Sequence, residues 1–159
     1  MSGGPAKDGW TRSDLRDMHL YEARGAAVYG HRFAMIKRDG RCDEDLVYIQ
    51  WSSNDRELPA LEEDVTVQLD VDTTVGQVPL TMIPLGTVGG ITQVFALTNF
   101  VAGEKLLSLL ANGKLLRVKV LGPPSLVQHL DIPEDEFSLL DFAKRRAEAL
   151  AACRATKSA

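Results

Sequence analysis

A chain of 159 residues, 45% hydrophobic and 25% charged, has apolar material for one full core and too little length for two, and it is neither disordered nor collagen-like. Its formal net charge of −4 and pI near 5.4 argue against nucleic acid as a main partner, because phosphate backbones need a clustered basic surface. No apolar run approaches the ~20 residues that cross a bilayer as a helix, so no membrane insertion is expected.

Residues 1–14 are rich in small and polar types and predict a flexible N-terminal arm, with Trp10 as the side chain that pins it to the body. Met1-Ser2-Gly3-Gly4-Pro5 has no signal-peptide pattern, so export implies that a leader has been removed; a cytoplasmic location is the alternative. Residues 15–154 read as a single β-rich domain and 155–159 as a flexible tail. Met18–Val28 suits an edge strand or a short helix. His31–Arg38 alternates as a strand, Asp39-Gly40 marks a hairpin turn, and Leu46–Trp51 is a dense strand buried on much of both faces.

Ser52–Asp64, with Pro59, predicts a loop. Val65–Asp72 is the clearest strand, with Val65, Val67, Leu69 and Val71 on one face. Pro79 and Pro84 restrict Val78–Leu85 to an edge or a broken strand. Gly86-Thr87-Val88-Gly89-Gly90 leads into the strand Ile91–Leu97, so it reads as a turn and not as a phosphate-binding loop, which opens a helix. Leu106, Leu107 and Leu110 place a helix over Ala102–Ala111 with Asn112-Gly113 as its stop, and Leu116, Val118 and Val120 mark the last clear strand. Gly122-Pro123-Pro124 ends that strand, and a loop runs through Pro133. Ser138 and Asp141 form a capping-box pattern, predicting a helix from about Leu139 with Leu139, Phe142, Leu150 and Cys153 on its buried arc. The fold class expected is mainly β: an antiparallel sandwich or half-closed barrel with one short helix and a C-terminal helix.

Local chemistry is sparse. His19, His31 and His129 have no metal-type spacing, and no Cys-x-x-Cys, Gly-x-Ser-x-Gly or P-loop occurs. No cofactor, metal or catalytic residue is expected, and no enzymatic activity. Asp70 and Asp72 share a strand face ~7 Å apart, a spacing that suits calcium or an acid–base pair, but a solvated face explains it better. Asp43-Glu44-Asp45 and Glu62-Glu63-Asp64 read as solubilising loop charges, and Lys37-Arg38 with Arg41 and Lys144-Arg145-Arg146 as solvated basic clusters. Cys42 and Cys153 are a disulfide if the chain is exported and two thiols if it is cytosolic; the residues alone leave both open.

Trp10, Cys42, the series Leu107, Leu110, Gly113, Lys114, Leu116 and Val118, and then Phe137, Leu139 and Phe142 followed by Cys153, form an order that resembles two groups of small exported bacterial proteins. These are the type VI secretion-associated proteins of the VasI kind and the invasion-associated locus B proteins. The chain departs from them at Asp141, where they often carry Gly. The resemblance implies a β-sandwich, a Cys42–Cys153 disulfide and a non-enzymatic accessory role in the bacterial envelope. The function expected is a non-catalytic periplasmic or secreted domain that binds another, unidentified protein as a monomer or weak homo-oligomer. The alternatives are a small cytosolic enzyme or ligand-binding barrel, with His31, Tyr48 and Asp70 as its site, and a structural component of a phage or secretion assembly.

Overall fold

The computed structural model describes residues 9–28, 30–55 and 62–158. Within them the chain runs β1 (Thr11–Asp14), β2 (Met18–Arg24), β3 (Arg32–Arg38), β4 (Arg41–Ser53), β5 (Glu62–Val71), β6 (Thr74–Val88), β7 (Thr92–Val101), α1 (Glu104–Asn112), β8 (Leu115–Gly122), α2 (Pro124–Val127), β9 (Glu134–Ser138) and α3 (Phe142–Ser158). All nine strands join one antiparallel sheet in the order β1-β2-β3-β4-β7-β6-β5-β8-β9, curled into a half-barrel. The alternation read from the sequence sets its inner face. Tyr21, Phe33, Val47, Ile49, Trp51, Val67, Leu69, Leu80, Phe95, Val118 and Phe137 are buried in one continuous core that also holds Phe142.

Trp10 ties the two edges of the half-barrel together. Its indole nitrogen donates to the Ser138 carbonyl at 2.6 Å and its backbone nitrogen to the Leu140 carbonyl at 2.9 Å. Its ring meets Phe142 edge-on at 4.8 Å. The pin expected of Trp10 is therefore present, and the segment after it is not loose: Thr11–Asp14 pairs with His19–Glu22 as β1. Residues 1–8 of the expected arm, Pro59 of the expected loop, and residue 159 of the expected tail lie outside the described residues. The helix α3 extends past residue 154, to Ser158.

The edge-strand reading of the Pro79–Pro84 segment needs correction. β6 is internal to the sheet, but its neighbours change along its length. Thr74–Met82 pairs with β5, and Thr81–Val88 pairs with β7. Among the described residues each proline lies where β6 has a partner on one side only, so its missing N–H need not break a ladder. Gly89 and Gly90, at φ +64° and +73°, close the β6–β7 hairpin in the left-handed region that glycine adopts freely.

The capping box also fails. Ser138 Oγ accepts from the Leu140 backbone nitrogen at 3.0 Å, ending β9, and Asp141 takes φ +68°, so the helix starts at Phe142. The short helix α2 falls within the loop expected through Pro133, and β9 occupies Glu134–Ser138, where the sequence suggests no element. Gly113 is the C-cap that ends α1, as expected, and it is also a gap: a Cβ there would lie 2.4 Å from Val71 Cγ1 and 2.9 Å from the Leu109 carbonyl. It lets the α1–β8 connection lie directly on β5.

Candidate functional site

Three constellations lie on this frame. The first anchors α3. Where the β3–β4 register is irregular, Asp43 is exposed, Glu44 half-buried and Asp45 points inward at 0% exposure. Its Oδ1 accepts from the Tyr21 hydroxyl and meets Lys37 Nζ at 3.1 Å; its Oδ2 accepts from Arg146 at 3.0 and 3.2 Å. Lys37 Nζ also donates to the Cys42 carbonyl at 2.8 Å. Burial holds the Lys37 ammonium below the usual lysine range, and Asp45 partly offsets it. Burial and the Asp45 charge push the Tyr21 phenol well above the tyrosine range. Burial acts against the Arg146 charge, but Asp45 outweighs it and raises that group. The solubilising roles expected of Asp45, Lys37 and Arg146 are thereby overturned: each basic cluster sends one cation to a single interior carboxylate.

Beside this network the sulfurs of Cys42 and Cys153 lie 2.05 Å apart and their Cα atoms 5.8 Å apart, the geometry of a disulfide. On α3, Phe142, Ala149 and Cys153 are fully buried and Arg146 half-buried between them, a stripe at helical spacing. That stripe replaces the arc expected from Leu139, which precedes the helix.

The second constellation is a histidine–aspartate pair. His31 Nδ1 lies 2.9 Å from Asp135 Oδ2, and the imidazole stacks on Trp51 at 3.8 Å. Asp135 also accepts from the backbone nitrogens of Ala27, Val28 and Glu136. Burial raises the Asp135 carboxyl, yet the bond to His31 and the three backbone bonds prevail and hold it below the usual range. Both side chains have 0% exposure, so a substrate has no route to them. The pair staples β9 to the turn before β3.

The third constellation is open to solvent. From Thr74 to Leu80, β6 has β5 on one side and no strand partner on the other among the described residues. The gap between this half of β6 and α1 is a cleft of about 300 Å³. Leu69, Val71, Val78, Phe100, Leu106 and Leu109 form its apolar lining; Thr74–Gln77 make one wall, and Lys105 is the one charged residue on it. It lies within a wider anomaly: from Thr73 to Gly103 the sequence holds no acidic or basic residue and no histidine.

The site imagined for a cytosolic enzyme does not assemble. His31 lies inside against Trp51, whereas Tyr48 occupies the opposite face of β4, and Asp70 is on β5, with β7 and β6 between. Asp70 and Asp72 do not form a pair either. Asp70 sits opposite Arg117, and the Asp72 carboxylate, in the β5–β6 turn, accepts from the backbone nitrogens of Lys114 and Leu115 at 3.2–3.3 Å. His129 is held by Asp55 at 2.7 Å and ties α2 to the end of β4. The cleft escaped sequence reading because its residues come from β5, β6, β7 and α1; the absence of charge over 73–103 was the one signal available. No family model, curated protein or solved structure matches the chain.

Proposed function

We propose that the chain is an exported or periplasmic accessory domain that binds another protein and carries out no chemistry of its own. The partner contributes an extended, uncharged, apolar segment that lies along Thr74–Val78 of β6 and places side chains in the cleft over Phe100, Leu106 and Leu109. One observation carries this reading: the half of β6 that, among the described residues, has a strand neighbour on the β5 side alone is the wall of the apolar cleft. Natural edges are guarded by charge or proline, and here Pro79 guards the far end of the segment while no charge guards the rest. Backbone pairing would supply affinity and the cleft specificity, as in strand addition. An uncharged wall fits an uncharged segment, because a charge entering the cleft would be desolvated unpaired. The disulfide supports an oxidising compartment, and an envelope or secretion role follows from the sequence resemblance.

Selection from a displayed library of short peptides tests the reading. Enriched ligands should be apolar and uncharged at alternate positions, and Leu109→Lys should weaken their binding at least tenfold. Enrichment of charged or helical ligands, or equal binding to the variant, contradicts it. Tight uptake of a small apolar molecule, with no peptide binding, would favour the ligand-binding barrel.

A further inference from the structure

We propose that His19, Asp39, Cys42 and Cys153 form a redox-gated metal site that takes a zinc-like divalent cation once the Cys42–Cys153 bridge is reduced. His19 projects inward from β2 and is 4% exposed. Its Nδ1 lies 2.8 Å from Asp14 Oδ1, so a proton on Nδ1 donates to that carboxylate and the lone pair resides on Nε2. Nε2 is buried and has no hydrogen-bond partner. It faces Asp39 Oδ1 at 3.4 Å, across the turn of the β3–β4 hairpin. A ring nitrogen of His19, an Asp39 carboxylate oxygen and Cys153 Sγ lie within 4.8 Å of one another. Cys42 Sγ, bonded to Cys153, is the fourth donor.

One imidazole, one carboxylate and two thiolates form a donor set that suits tetrahedral zinc. Bonds of ~2.0–2.3 Å place tetrahedral ligands about 3.3–3.8 Å apart. Cys42 Sγ, outside the 4.8 Å group, must therefore swing in once it is released from Cys153, and His19, Asp39 and Cys153 must draw in by about 1 Å. Asp39, at the exposed turn, is free to supply that movement. The Asp14–His19 bond is the carboxylate support that metal-binding histidines commonly have, fixing the tautomer and the ring. With the bridge closed the sulfurs are not ligands, and His19 and Asp39 remain a bare pair.

The gating step balances with a dithiol as reductant. Its thiolate attacks Sγ of Cys42, the more exposed of the two residues at 7% against 0%, from the polar pocket lined by Arg41, Asp43 and Glu44. Cys153 leaves as a thiolate. The second thiol of the reductant then displaces Cys42, giving a cyclic disulfide and two protein thiols. Binding of the cation releases the two thiol protons to solvent.

The test uses the whole chain, reduced with a dithiol, desalted under inert gas and titrated with Co²⁺ alone. One equivalent should produce thiolate-to-cobalt charge transfer and the visible bands of a tetrahedral centre, and the oxidised protein should show neither. His19→Gln should weaken Co²⁺ binding by tenfold or more, and Asp14→Asn by about tenfold. Circular dichroism is recorded alongside: if reduction melts the sheet, Co²⁺ must restore it. Absence of the bands in the reduced protein, failure to restore a melted sheet, or His19→Gln binding as tightly as wild type would overturn the proposal. The last result would mean that the cysteines act alone.

Discussion

Asp43 and Asp45 lie two residues apart, so a regular strand would place them on one face. The irregular β3–β4 register between the Ile36–Leu46 and Arg38–Arg41 pairs leaves Asp43 exposed and Asp45 inside, as the counter-ion of Lys37 and Arg146. Removing one member of a buried ionic network leaves the others unpaired in a poor solvent for charge. Asp45→Asn should therefore cost about 3–5 kcal/mol in urea denaturation, while Asp43→Asn, whose side chain is 89% exposed, should stay within about 0.5 kcal/mol. Equal effects would show that Asp45 holds nothing. Asp135 gives a pH signature. Its folded carboxyl lies below the usual 3.8, so its stabilisation is complete above that value and is lost as pH falls through the folded range. Asp135→Asn should lower stability at neutral pH and make it less dependent on acid below 3.8. A variant with the wild-type acid profile would contradict this.

At the scale of elements, what was legible followed burial on one face. Val65, Val67, Leu69 and Val71 announced β5, and Leu116, Val118 and Val120 announced β8, because strict alternation has one physical reading. Glu134-Asp135-Glu136 concealed β9, since nothing local distinguishes Asp135, bonded to His31, from its solvated neighbours. The onset of α3 was misplaced for a related reason: Ser138 and Asp141 have the residue types of a cap, but Trp10 takes up the Ser138 and Leu140 carbonyls, and the chain ends β9 and turns before the helix begins. The disulfide acts on this same element. It closes a loop across 111 residues and fixes the middle of α3 to β4. Replacing both cysteines with serine should cost about 4–5 kcal/mol in the chain-entropy view. Amide exchange should accelerate first in 147–155 of α3, with β5 and β8 protected for longer. Uniform loss across the sheet would contradict the helix-stapling role.

Over the whole molecule the half-barrel divides by charge. The β1–β4 side carries the interior ionic network and the disulfide, and α3 packs across it. The β6–β7 hairpin and the cleft beneath α1 carry no charge except Lys105. Such segregation in a chain that is 25% charged supports the contact surface proposed along β6. Its most direct test is amide hydrogen exchange of the wild-type protein with and without a peptide selected for binding. The account predicts slowed exchange within Val75–Val78 of β6 and along Glu104–Leu110 of α1, and nowhere else. Protection at the Ile83–Ile91 hairpin end, or along Arg41–Glu44 beside the disulfide, with the first half of β6 unchanged, would contradict it.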